Sequence, residues 1–258
     1  MNLVLTIPGA IAIGLSLGLL GSGGSILTVP VLVYLVGQDE KVAIAGSLFV
    51  VGSIALAGGL QFLRAGFIQW RSVVMFGIPG MLGTYLGAML AAYVSGVMQL
   101  ALFALVMLAA SWLMLRPIDL AHAQRRQRAD WKIMGDGLVV GVITGLVGVG
   151  GGFLIVPALV LLGGLSMHQA VATSLVVIAL KSYSGFWKYL DVLESQSLEL
   201  DWNTLLIVTA LGIAGSIAGS KLARRLPQDK LKQWFGYFLI VMGIYILARS
   251  APAALGFS

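Results

Sequence analysis

Apolar residues run along this chain in blocks of roughly 18 or more, parted by short polar connections. A block of that length crosses about 30 Å of hydrocarbon as a helix. The pattern predicts full spans over 43–63, 71–93, 97–115, 169–190, 202–223 and 230–249. Two further apolar segments, 3–37 and 134–163, are interrupted midway by glycine and serine. The interruptions read "LLGSGGSILTVP" at 19–30 and "LVGVGGGFLIVP" at 146–157, so the same break is written twice.

The repetition extends well beyond the breaks. A shift of 127 residues lays Gly21, Gly23, Gly24 and Pro30 on Gly148, Gly150, Gly151 and Pro157, and Ser47 on Ser174. After a five-residue insertion a shift of 132 lays Trp70, Gly80, Gly83 and Gly87 on Trp202, Gly212, Gly215 and Gly219. The chain therefore reads as a duplication within one integral membrane domain: a first repeat at 1–115, a basic loop at 116–133 and a second repeat at 134–258.

Composition supports the membrane assignment. Hydrophobic residues make up 59% and charged residues 10%, against about 25% charged in soluble domains. The net charge of +6 does not point to nucleic acid, because the basic residues sit in short loops between spans. The chain has no cysteine, which excludes disulfides and thiolate metal sites. The apolar start lacks a basic region before it and leads directly into the break, so it is read as retained structure rather than a signal peptide.

Charge placement sets the expected topology. Loop 116–133 carries Arg116, Arg125, Arg126, Arg128 and Lys132, and 221–232 carries Lys221, Arg224, Arg225, Lys230 and Lys232. Both are expected on the cytoplasmic side, with 64–71, while the acidic 191–201 is expected outside. That arrangement requires each broken segment to cross an even number of times, as a hairpin. The expected fold is an all-α polytopic protein of two inverted-topology repeats. Each is a glycine-broken, re-entrant helical hairpin plus three transmembrane helices, with both termini outside the plasma membrane. Parity alone leaves re-entrant and fully spanning hairpins open.

Irregular backbone inside a membrane is tolerated only where protein or a wet cavity lines it. A helix starting after such a break offers free N–H groups and the positive end of its dipole, which suit an anion. The candidate ligands are Gly21, Ser22, Gly23, Gly24 and Ser25 at the first break, and Gly148, Gly150, Gly151 and Gly152 at the second. The competing reading is that these glycines serve hairpin packing. Lys181 lies within a span, where ionisable groups are costly and mark function; its alternative is snorkelling to the outer interface. Ile54 stands at the related position, so the duplication does not require a lysine. Ser47, Thr173 and Ser174 are candidates to bind substrate oxygens or to hold helices together. The small-residue stripes Gly80, Gly83, Thr84, Gly87 and Gly212, Gly215, Ser216, Gly219 point to close helix packing. His122 and His168 read as isolated loop histidines, and no metal site, catalytic residue or cofactor is expected. The partners implied are a small anion and the bilayer, with proton or sodium coupling and oligomerisation left open.

The paired stretches "GLLGSGGSILTVPVLVYL" and "GLVGVGGGFLIVPALVLL", followed by "AGSL" and "ATSL", resemble the TauE/SafE family over nearly the whole chain. The resemblance implies a transporter of sulfite, sulfonates or similar small sulfur-containing anions, working by alternating access with the anion between the hairpin tips. Site residues carry over only at the two glycine motifs, and Lys181 is not part of that pattern. A passive anion channel is the alternative. A rhomboid-like serine protease would need a histidine within a span, and neither histidine lies in one.

Overall fold

The computed structural model describes residues 3–21, 23–63, 66–115, 130–147, 152–223 and 225–254. Among these the only regular structure is helix, as expected where a bilayer leaves no water to satisfy backbone groups. The first five helices are α1 (Leu3–Leu20), α2 (Gly23–Pro30, continued as a π-helical turn Val31–Val36), α3 (Glu40–Leu63), α4 (Trp70–Ala91) and α5 (Gly96–Leu115). The remaining five are α6 (Asp130–Val147), α7 (Gly152–Pro157, continued as π-helical Ala158–Leu162), α8 (Met167–Ser195), α9 (Trp202–Ala223) and α10 (Gln228–Ala254). Of these, α3, α4, α8 and α9 are long and apolar enough to cross a membrane. The expected spans 97–115 and 230–249 correspond to α5 and α10, whose apolar stretches run over the shorter Gly96–Trp112 and Gln233–Ala248.

The first break has a local cause. Gly21 closes the last turn of α1 through its N–H on the Leu17 carbonyl at 2.8 Å, then takes φ +73°. That left-handed conformation costs glycine little and strains other residues. The chain then folds back: Gly24 packs on Ile13 and Leu17, and Gly9 on Val31 and Leu35, so α1 and α2 are antiparallel. The motif prolines, Pro30 and Pro157, each mark a change from α to π geometry. Proline brings no N–H to the helical ladder and crowds the preceding turn, and the wider turn relieves that. The second break, 148–151, lies outside the described residues.

Backbone-to-backbone seams join the early helix of each sequence half to a late helix of the other. A Cβ built on Gly14 would lie 1.9 Å from the Gly212 carbonyl oxygen, and one on Gly18 would lie 2.2 Å from that of Ser216. Cβ atoms on Gly215 and Gly219 would fall 2.6 and 2.3 Å from the carbonyl oxygens of Ile11 and Leu15. The same contacts recur at the offset positions. A Cβ built on Gly141 would lie 2.4 Å from the Gly80 oxygen, one on Gly145 2.1 Å from that of Thr84, one on Gly83 2.3 Å from that of Leu138 and one on Gly87 2.2 Å from that of Val142. The small-residue stripes are thus packing surfaces, α1 on α9 and α6 on α4, each pair running parallel. By contrast α3 and α8 run antiparallel, with Gly52 beside Ser182, Gly58 beside Leu175 and Leu48 beside Gly185. Helices α5 and α10 are also antiparallel, with Gly236 on Leu115 and Gly243 on Leu108.

Helix ends are tied by side chains. Ser166 and Gln169 form a reciprocal capping box on α8. Lys41 is buried at the start of α3, and its ammonium donates to the carbonyls of Ala91 and Val94, at 2.5 and 2.6 Å, at the end of α4. His168 occupies the related place. It lies in the first turn of α8, not in a loop, with Nε2 3.3 Å from the Ala223 carbonyl that ends α9.

Candidate functional site

The residues around the first break are brought together by α8. The Ser174 hydroxyl reaches the Gly21 carbonyl at 3.0 Å and the Val171 carbonyl at 2.8 Å, so one short side chain tethers the break to α8. No larger residue fits at Gly21, since a Cβ there would lie 2.8 Å from the Val171 Cα and 2.9 Å from the Ser174 hydroxyl oxygen. Gly24 has a packing role too, because its Cβ would come within 2.4 Å of the Ile13 carbonyl oxygen. Gly23 opens α2, and Ser25 is fully buried in its first turn. Gly152 opens α7 and is buried. Ser22, Gly148, Gly150 and Gly151 lie outside the described residues.

The other hydroxyls carry structural bonds. Thr173 accepts the Gln69 N–H at 3.0 Å, fixing the entry into α4. Ser47 donates to the Ile44 carbonyl at 2.8 Å within its own helix. Ser174 and Thr173 thus bond to the segments that follow α1 and precede α4.

Lys181 sits apart from this group. It is seven residues beyond Ser174 on α8, about 10 Å along the helix. The side chain is 0% exposed and does not snorkel. Its Cδ and Cε lie 3.0 and 3.3 Å from where a Gly80 Cβ would be, and its ammonium is 5.9 Å from the centre of the Phe76 ring. The ammonium has no hydrogen-bond partner among the described residues. The related slot holds Ile54, whose Cδ1 packs on Gly212 in the same manner. A second local difference coincides with this one. Helix α4 turns π-helical over Val73–Gly77, just before Pro79 and next to Lys181, whereas α9 has Leu211 at that offset and runs uninterrupted.

Two polar side chains escaped the sequence reading. Gln99 and Tyr189, both fully buried, converge on the last described turn of α6. The Gln99 amide donates to the Leu146 carbonyl and, at 2.9 Å, to the Tyr189 hydroxyl. That hydroxyl lies 3.3 and 3.4 Å from the carbonyl oxygens of Gly145 and Leu146. An amide inside the largely apolar block 97–115 was the available signal. A separate cavity of about 510 Å³ is lined by Glu194, Glu199 and Trp202 among others. Its carboxylates oppose an anion, and none of the expected ligands lines it. Among the described residues no cluster of His, Asp or Glu is placed to hold a metal ion.

Span-length apolar helices, packed backbone to backbone along glycine seams with Lys181 buried among them, mark an integral membrane protein. The family model described as "Sulfite exporter TauE/SafE" matches residues 6–246. The chain belongs to that family and is a multi-pass membrane transporter of its type. It is 35% identical over 257 residues to a "Probable membrane transporter protein" of Xylella fastidiosa, covering 96% of each chain. It is 25% identical over 258 residues to a protein of the same description from Methanocaldococcus jannaschii, covering 95% of this chain and 96% of the other. With YunE of Bacillus subtilis, also a "Probable membrane transporter protein", identity is 29% over 273 residues, covering 95% and 96%. No solved structure gives a significant match.

Proposed function

We propose that this protein moves a small sulfur-containing anion, such as sulfite or a sulfonate, across the plasma membrane by alternating access, with Lys181 as the fixed positive charge on the path. The observation that carries the proposal is the fully buried ammonium in a span-length helix, without a hydrogen-bond partner among the described residues. An ammonium sealed among apolar groups is costly to fold and has its natural partner in a mobile anion. The family description supports sulfur oxyanions as the substrate class.

The two repeats have inverted topology in this reading, with hairpins entering from opposite faces. Support comes from the antiparallel course of α3 and α8 and from the recurrence of the glycine seams at the sequence offsets. The N–H groups opening α2 at Gly23, Gly24 and Ser25, and those of the second break, receive the oxyanion by hydrogen bonding. Because Lys181 lies about 10 Å along α8 from Ser174, the break and the lysine act as successive stations on one route. That refines the expected single pocket between hairpin tips.

Thermal unfolding of the purified protein with sulfite, sulfate, thiosulfate, sulfoacetate, taurine and chloride tests the reading. A ligand of the folded state raises the midpoint with its concentration, and any hit is then followed as flux into liposomes. If none of these anions shifts the midpoint or crosses the bilayer, the proposal fails. Topology is tested by labelling single cysteines in Arg126→Cys, Ser195→Cys and Gln228→Cys, expected from inside, outside and inside. Labelling of position 228 from outside refutes the inverted arrangement.

A further inference from the structure

Helix α6 is described as far as Val147, and its carbonyls near that point are reached by side chains of α5 and α8. Two of them, Gly145 and Leu146, are met by the Tyr189 hydroxyl and the Gln99 amide. The tyrosine oxygen lies 3.3 and 3.4 Å from these two carbonyl oxygens. Adjacent oxygens are about 3.4 Å apart around a cation of sodium's or calcium's size, whose bonds are about 2.4 Å. The fourth oxygen of the cluster, Gln99 Oε1, is buried and has no hydrogen-bond partner among the described residues.

The Gln99 amide can be turned by half a rotation, exchanging oxygen for nitrogen without moving its neighbours. Facing one way, its N–H groups bridge the Leu146 carbonyl and the tyrosine. Facing the other way, Oε1 joins three oxygens around one point. We infer that Gln99, Tyr189 and the Gly145 and Leu146 carbonyls form a binding site for a sodium-sized monovalent cation, the amide N–H groups standing in for it when it is absent. Oxygen-only ligation suits a hard cation, and the absence of a carboxylate among the four favours a single charge. Glu40 lies against Gly96, one turn before Gln99, with Asp39 and Lys41 beside it in the chain. The site occurs once, since Phe62 and Leu231 stand at the related positions and neither offers a ligand oxygen. As the coupling ion it rests on the transport reading; as a binding site it does not.

The test is thermal unfolding of the full chain in detergent, with sodium chloride replacing choline chloride at fixed ionic strength. The expected result is a saturable, sodium-dependent rise in midpoint that is lost in Gln99→Leu and diminished in Tyr189→Phe. The second variant keeps the ring and so reads the site even if the first fails to fold. No sodium-dependent rise in the parent protein, or an undiminished rise in both variants, overturns the inference. A sodium response in a protein that moves no anion keeps the site and sinks the transport reading. Anion flux without any sodium response does the reverse.

Discussion

Replacing Lys181 by isoleucine copies what the chain already does at Ile54. That residue fills the related slot, against Gly212 as Lys181 lies against Gly80, so the variant has a precedent for its packing. The lysine is 0% exposed and its ammonium makes no hydrogen bond among the described residues. A buried polar group left unsatisfied costs about 1–3 kcal/mol, and a charged one more. Even after part of that is lost to imperfect repacking, Lys181→Ile is expected to be more stable by about 2–4 kcal/mol. At about 2–4 °C per kcal/mol for a chain of this size, the midpoint should rise by roughly 4–16 °C. The same variant should lose its response to whichever sulfur anion stabilises the parent, and its liposome flux. Differential scanning fluorimetry with and without the anion measures both effects on one sample. A variant that is more stable yet still responds to the anion with unchanged affinity refutes the role of the lysine. A variant that is less stable refutes the reasoning about its burial.

Three other outcomes are expected. Gly14→Ala would set a methyl 1.9 Å from the Gly212 oxygen, so the α1–α9 seam must open by roughly 1 Å or more. Overpacking of that kind costs about 1–3 kcal/mol, whereas Gly135→Ala, facing open space within α6, should raise the midpoint slightly, by about 0.4–1 kcal/mol of helix preference. Ser174→Ala removes the side-chain donor on the Gly21 carbonyl and should lower stability by about 1–3 kcal/mol, read in the same unfolding assay. Asp201, before the start of α9, is held below the ordinary carboxylate range by hydrogen bonds from the hydroxyl and N–H of Thr204. Its contribution is present above the ordinary value and disappears as pH falls through the lowered one. Below roughly pH 4 the midpoint of Asp201→Asn should therefore fall less steeply than that of the parent.

The helical architecture was legible because span length and glycine spacing act locally and repeat. The stripes at Gly80–Gly87 and Gly212–Gly219 pointed to close packing, but their partners Gly141 and Gly14, which the same offset relates, came only with the structure. Lys181 stood out from its cost alone, but its neighbours did not. Phe76 and Gly80 reach it because α4 widens ahead of Pro79, and a one-residue change in helical register is invisible to periodicity. The break and the lysine looked like parts of one site, since a linear reading does not weigh about 10 Å of helix between Ser174 and Lys181. Gln99 and Tyr189 were passed over for a related reason. They are 90 residues apart and acquire meaning only where both touch the end of α6.

The seams also determine which fragments can exist. Helix α1 lies in residues 1–115 but rests on α9, and α6 lies in 134–258 but rests on α4. Each half lends its opening helix to the other, as strands are exchanged in a swapped dimer. Made alone, each half lacks the glycine seam on which that helix rests. A chain cut within the 116–129 linker should therefore hold together as a complex of two pieces made side by side, while either piece made by itself is lost.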